Sequence, residues 1–321
     1  MSAGSIVVDL KFAPESVAAA LKDGFAGREV INMADPENRD RDLSGCAYAV
    51  VWKPDPSLFD RARNLKVIIS GGAGVDHILA SYELPDTPIV RFVDRSLTDR
   101  MSEWVVLQSL IHLRQVPVFA RQQREHLWEP RDSHPEAADV TVGVMGLGVL
   151  GADAAKKLKV MGFDVIGWSR SAKRIEGIET FDATGLETFL GRTDILVGLL
   201  PLTDDTRGLF NADLFAGLRQ GGALAAGRPV FLNAGRGGSQ VETDIVAALE
   251  NGVLGGASLD VFQTEPLSAD SPLWGMENVI LTPHVAAMSD TRAVFRHAER
   301  QIARFERGEP LEHVVDRNRG Y

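Results

Sequence analysis

The sequence predicts an α/β protein built on two parallel sheets, and three observations carry that expectation. Short β-branched runs alternate with helical stretches along the chain, the pattern of strands joined by helical crossovers. The alternation comes as two series, one before residue 102 and one from residue 140. Between them lie a long helical stretch (102–123) and a segment rich in Pro, Glu and Asp (126–139) that reads as a surface arm. The length of 321 residues suits two ordinary domains at roughly 150 residues each.

In the first series, strands are expected at 6–9, 29–32, 48–52, 67–70 and 89–92. A helix is expected over 14–22, with Pro14 well placed in its first turn. The second series offers strands at 140–145, 164–168, 195–199, 230–233, 256–259 and 279–281. Six strands with helices between them suit a doubly wound nucleotide-binding sheet. A final helix over 289–308 is amphipathic. Val294, Phe295, Ala298, Ile302 and Phe305 line one face, Gly308 stops it, and the pattern assigns it to neither series.

Composition narrows the class. Hydrophobic residues make up 45% and charged residues 24%, the balance of a soluble globular protein. The longest apolar runs are strand-sized and broken by Gly, Asp or Arg, so no membrane-crossing helix is expected. The start of the chain lacks a basic leader, and Asp9 interrupts its only apolar run, which argues against a secretory signal. The single cysteine, Cys46, has no disulfide or metal-ligand partner nearby, so the expectation is a cytoplasmic protein without a metal. A formal charge of −10 disfavours nucleic acid as a partner, yet a few local arginines can still bind a small anion.

Gly146-Leu147-Gly148-Val149-Leu150-Gly151 is a GxGxxG set between an expected buried strand (140–145) and an expected helix (152–161). Gly146 permits the tight turn, Gly148 lets backbone N–H groups approach a pyrophosphate, and Gly151 lets helix and strand pack closely. The helix N-terminus adds partial positive charge. An NAD-selective site places Asp or Glu at the tip of the next strand. Here that strand ends at Trp168 and continues Ser169-Arg170-Ser171-Ala172-Lys173-Arg174. Hydroxyls and cations suit a 2′-phosphate, so NADP is the expected cofactor, with NAD possible.

Three polar residues follow expected strands of the second series, at the edge where such sheets bind ligands. They are Arg236 after 230–233, Glu265 after 256–259 and His284 after 279–281. A guanidinium can grip a carboxylate and polarise a carbonyl. An imidazole can give a proton to the forming alkoxide, and a carboxylate beside it would hold its orientation and favour its charged form.

With these motifs the chain resembles the D-isomer-specific 2-hydroxyacid dehydrogenases, most closely their glyoxylate/hydroxypyruvate reductase A branch. The likeness also includes residues 71–76 (GGAGVD), 199–203 (LLPLT) and the ending 315–321 (VDRNRGY). It implies NADPH-dependent reduction of a small 2-keto acid, glyoxylate or hydroxypyruvate, to the D-2-hydroxy acid. In that reading Arg236 binds substrate, Glu265 pairs with histidine and His284 donates the proton. Ala73 and Gly74 match the loop whose N–H groups hold the substrate carboxylate. Trp52 matches a pocket tryptophan, although as a residue it reads equally well as packing. Leu200, Pro201 and Thr206 match the segment along the adenosine and phosphates. Ala234, Gly235, Asp260 and Ala286 match positions near the nicotinamide.

The resemblance further implies that the dinucleotide domain (103–286) is inserted in a substrate domain (1–102 plus 287–321). The helix after Ser102 and the arm near Trp128 then resemble elements of a homodimer. Two departures stand out: residues 221–229 form a longer approach to a strand, and Met101 is bulkier than usual. An NAD-linked dehydrogenase of another substrate and a dinucleotide-sensing binding protein on the same fold are the alternatives.

Overall fold

The computed structural model describes residues 4–79, 84, 86–132 and 134–321. The chain divides into two compact units, Met1–Leu97 with Ser289–Tyr321 and Thr98–Met288. The sequence-based junctions at 102/103 and 286/287 are five and two residues from these divisions (102 − 97 and 288 − 286).

In the first unit, Val- and Ile-rich runs form β1 (Ser5–Leu10), β2 (Val30–Asn32), β3 (Cys46–Trp52), β4 (Val67–Ser70) and β5 (Ile89–Val90). All pair in parallel in the order β2-β1-β3-β4-β5. The strand residues Ile6, Val7, Val8, Val50, Val51 and Ile68 are fully buried. Continuous apolar runs of this kind belong to a sheet covered on both faces. Helices α1 (Pro14–Leu21), α2 (Ser57–Arg61) and α3 (Asp76–Leu79) fall between the strands. The expected fifth strand at 89–92 stops at Val90. Beyond it the Arg91 N–H donates to His313 O at 3.1 Å and the Phe92 N–H to Gly72 O at 3.1 Å, so the chain leaves the ladder.

The C-terminal helix, Thr291–Glu306, belongs to this first unit. Phe295 packs tilted against Phe25 with centroids 5.0 Å apart, and Phe305 meets the Tyr48 ring edge-on at 6.3 Å. Arg28 donates to both oxygens of Glu306 at 2.9 and 2.6 Å, and the Tyr48 hydroxyl donates to the same carboxylate at 3.0 Å. Burial, then that carboxylate, push the Tyr48 phenol up to about 12. After the helix, Val314 bridges Val90 antiparallel and the Val315 N–H donates to Ile89 O at 2.8 Å, covering the β5 edge.

The second unit holds a parallel sheet of β6 (Thr141–Met145), β7 (Asp164–Trp168), β8 (Glu179–Phe181), β9 (Ile195–Gly198), β10 (Val230–Asn233), β11 (Gly256–Leu259) and β12 (Val279–Leu281). Its order is β12-β11-β10-β9-β6-β7-β8, so the direction of winding reverses between β6 and β9. That reversal is the switch point at which open α/β sheets bind ligands. The helices here are α4 (Arg95–Leu113), α5 (Val116–Arg124), α6 (Val149–Val160), α7 (Leu186–Arg192), α8 (Ala212–Ala216) and α9 (Glu242–Glu250). The division between the units falls inside α4.

Three features differ from expectation. The sheet has seven strands rather than six: β8 is a partly exposed edge of three residues with no apolar run. The single helix expected over 102–123 is two. Gln115 turns left-handed (φ 54°) and Pro117 follows in the first turn of α5, because proline has no N–H to continue a helical ladder. The helix of the glycine motif starts at Val149 rather than 152, with Gly148 as its N-cap. Within 221–229 the Gly221 N–H donates to Gly227 O at 2.7 Å, a closed loop that leaves the start of β10 at Val230. Among the described residues no helix is long and apolar enough to cross a membrane.

Candidate active site

The switch point is lined by the glycine turn. Gly146 has φ +105°, and a Cβ there would lie 2.5 Å from Leu199 O, so only glycine lets the chain leaving β6 pass the chain leaving β9. A Cβ at Gly151 would lie 1.9 Å from Gly146 O, so the first turn of α6 rests on the turn itself. Gly148 differs from both. Its backbone (φ −73°, ψ −165°) suits any residue, and a Cβ there would meet nothing within 4 Å. Bare backbone at such an exposed helix start serves the approach of an anion to the N–H groups of α6. Leu147 is buried, whereas Val149 and Leu150 lie on the first helical turn with Val149 exposed.

Past β7 the next loop curls towards this turn. The Ser169 hydroxyl donates to Ser171 O at 2.8 Å, and Lys173 Nζ donates to Leu147 O at 2.8 Å. Arg170 forms an ion pair with Asp205, which sits in the turn after β9. The buried Trp168 indole N–H finds no acceptor among the described residues. Leu200 and Pro201 follow β9, and the Thr206 hydroxyl, expected beside the cofactor, donates to Pro201 O at 2.6 Å and braces their turn. Open backbone at Gly148 together with hydroxyls and cations at 169–173 fits a dinucleotide carrying a 2′-phosphate.

Sheet register assembles the second group of residues. Asn233 of β10 pairs with Leu259 of β11, and Leu259 pairs with Leu281 of β12, so three neighbouring strands end on one rung. Arg236, Glu265 and His284 lie three, six and three residues beyond it (236 − 233, 265 − 259, 284 − 281). The turn of Arg236 packs on that of Glu265: a Cβ at Gly237 would lie 1.9 Å from Phe262 O. Arg236 Nη1 donates to Gly235 O at 2.9 Å. His284 Nδ1 lies 3.0 and 2.9 Å from the two oxygens of Glu265. A carboxylate only accepts, so Nδ1 carries hydrogen and Nε2 is left for substrate. Both side chains are partly open, His284 at 35% and Glu265 at 27%.

Asp260 is almost wholly buried, and burial raises its carboxyl above the usual carboxylate range. Oδ1 accepts from the Thr282 hydroxyl at 2.6 Å and the Val285 N–H at 2.9 Å, and Oδ2 from the Ala286 N–H at 3.0 Å. Its side chain therefore holds the histidine loop. Ala234 is buried and Gly235 half-buried behind β10. Two residues outside the sequence-based set hold the arginine turn. Asn233 and Gln240 are fully buried; Asn233 Nδ2 donates to Gln240 Oε1 at 2.7 Å, and Gln240 Nε2 donates to Val261 O at 2.9 Å. An amide seven residues past a strand carries no sequence signal that separates it from a surface glutamine.

In the first unit, Trp52 ends β3 with its ring edge-on to His77 at 4.3 Å and tilted to Phe12 at 6.5 Å. Ala73 and Gly74 sit in the loop after β4, where the Ser70 hydroxyl donates to Gly74 O at 3.1 Å. Neither the Ala73 nor the Gly74 N–H bonds to another described residue.

A doubly wound sheet with a glycine turn at its switch point, and a guanidinium and a carboxylate-backed imidazole at its carboxyl edge, defines a pyridine-nucleotide-dependent oxidoreductase. The family model for the D-isomer specific 2-hydroxyacid dehydrogenase NAD binding domain matches residues 106–286. The chain belongs to the D-isomer-specific 2-hydroxyacid dehydrogenase family. It is 40% identical over 281 residues to glyoxylate/hydroxypyruvate reductase A of Escherichia fergusonii, covering 85% of this chain and 87% of that one. The crystal structure of NADPH-dependent glyoxylate/hydroxypyruvate reductase from Sinorhizobium meliloti, in complex with NADP and sulfate, is 64% identical, with a TM-score of 0.97 and coverage of 99% and 100%. A probable 2-hydroxyacid dehydrogenase from Rhizobium etli in complex with NADP, HEPES and L(+)-tartaric acid is 63% identical, with a TM-score of 0.93 and coverage of 99% of each chain.

Proposed function

We propose that this protein uses NADPH to reduce glyoxylate to glycolate or hydroxypyruvate to D-glycerate. The observation that carries the reading is the Glu265–His284 pair at the carboxyl edge of a dinucleotide sheet, on a rung shared with the strand that leads to Arg236. The names and NADP ligands of the relatives supply the substrate and the cofactor. NADPH, when bound, supplies the hydride. Gly148 leaves open backbone for its pyrophosphate, Gly146 and Gly151 let the turn that presents it close, and Ser169, Arg170 and Ser171 would hold its 2′-phosphate.

The protein's own share is binding and proton handling. Arg236 grips the carboxylate and draws charge onto the carbonyl oxygen. Glu265 holds Nδ1–H, which orients the ring, and Nε2–H protonates the nascent alkoxide. In the reverse direction Nε2 takes the hydroxyl proton.

The test compares NADPH and NADH in wild type and Arg170→Ala, with glyoxylate as substrate. Wild type is expected to favour NADPH. The variant should lose about tenfold in kcat/KM for NADPH, the scale of one charge-assisted phosphate contact, with little change for NADH. Equal or better efficiency with NADH in wild type contradicts the cofactor assignment.

The protein acts in this reading as a cytoplasmic homodimer. Leu107, Val116, Leu127 and Trp128 leave 53%, 45%, 45% and 98% of their surface exposed along α4, α5 and the arm after them, an apolar series that a second copy would cover. Light scattering on the eluted protein is expected to give twice the chain mass, falling to one chain on Trp128→Glu with Leu127→Glu. A wild-type mass of one chain refutes the dimer.

A further inference from the structure

We propose that Trp104 and Thr282 are positioning residues for the proton donor, tying helix α4 to the loop that carries His284. The proposal rests on the reading of His284 above. His284 has φ +56°, a left-handed conformation that a non-glycine residue keeps only where its surroundings impose it. The His284 N–H donates to Asp260 O at 2.8 Å, and the next two N–H groups are taken by the Asp260 carboxylate. Asp260 is thus the template of the loop, and what fixes Asp260 fixes the imidazole.

Thr282 is what fixes it from the side of the helix. Its hydroxyl has one proton, given to Asp260 Oδ1 at 2.6 Å, and its oxygen accepts from Trp104 Nε1 at 3.2 Å. Trp104 is buried on α4, 178 residues away in sequence. Both capacities of the hydroxyl are used, in a direction set by the tryptophan, which only donates.

The tether continues along the same helix face at four-residue intervals, at Gln108 and His112. Ser258 Oγ donates to Gln108 Oε1 at 2.9 Å and lies 2.9 Å from His112 Nε2. The serine proton is committed to the amide oxygen, so His112 Nε2 carries the hydrogen shared with Ser258. All three side chains are buried, and Ser258 precedes Asp260 by two residues along the same strand direction. Three residues of α4 therefore hold β11 and the catalytic loop, through polar contacts that hydrophobic packing would not aim so narrowly.

Thr282→Val keeps the shape and removes the hydroxyl. We expect kcat with NADPH and glyoxylate to fall by between about tenfold and about a hundredfold, as for a misplaced catalytic group, with KM for NADPH unchanged. Thr282→Ser should restore kcat, and Trp104→Phe should reproduce a smaller loss. In the ligand-free protein, amide hydrogen exchange at Val285 and Ala286 should quicken by about tenfold in Thr282→Val and stay unchanged across β10. Wild-type kcat and wild-type exchange in Thr282→Val overturn the proposal, as does a loss that serine fails to rescue. Inert wild-type protein overturns the functional reading and this role together, whereas an active wild type with an unaffected valine variant overturns the role alone.

Discussion

His284→Ala is expected to lower kcat for keto-acid reduction by about 10²- to 10⁴-fold, the usual worth of a positioned general acid. That loss corresponds to about 3–5 kcal/mol of barrier. The reason is local. Glu265 engages Nδ1 through both oxygens, so the ring presents Nε2, and the backbone at 284 is held left-handed by Asp260. Alanine leaves Asp260 its backbone partners at 285 and 286, so the dinucleotide site should be untouched. The NADPH dissociation constant, read by fluorescence titration, should match wild type while steady-state kcat collapses. A variant that turns over at the wild-type rate removes His284 from the chemistry.

Arg236→Ala should cut kcat/KM for the keto acid by about 10²- to 10³-fold, because the lost group both binds the carboxylate and stabilises developing negative charge. Both kcat and KM should suffer, unlike the histidine variant. Lysine should restore only part of the loss, since an ammonium cannot reproduce the planar fork. The turn around Arg236 is held by Asn233, Gln240 and the Gly237–Phe262 approach, so the alanine variant should fold normally. Initial rates over a keto-acid concentration series decide the matter. Unchanged kcat/KM rules out substrate contact by Arg236.

Much of the fold could be read from local pattern, and the misses have physical causes. Strands β4, β7, β10, β11 and β12 lie at the expected residues; β4, β10 and β11 are buried throughout, and parallel strands covered on both faces leave no polar alternation to blur them. The edge strand β8 escaped because Glu179-Thr180-Phe181 offers no apolar run, whereas the equally short edge strand β12 is Val279-Ile280-Leu281. The break between α4 and α5 was signalled by Pro117, but the apolar spacing on either side ran through it. At the site, Arg236, Glu265 and His284 were visible because each follows a strand by a few residues. The structure adds protein-internal partners for Asp260 and Thr206 that no motif announced, one side chain in the histidine loop and one in the turn after β9. Asn233, Gln240, Trp104 and Thr282 went unassigned because their partners are set by strand register and helix docking, which no local motif encodes.

Configuration of the product tests the central claim most directly. Purified protein incubated with NADPH and hydroxypyruvate should consume the nucleotide in step with glycerate formation, and the glycerate should be the D enantiomer. Absence of NADPH oxidation, or formation of L-glycerate, would contradict a D-2-hydroxyacid-forming reductase.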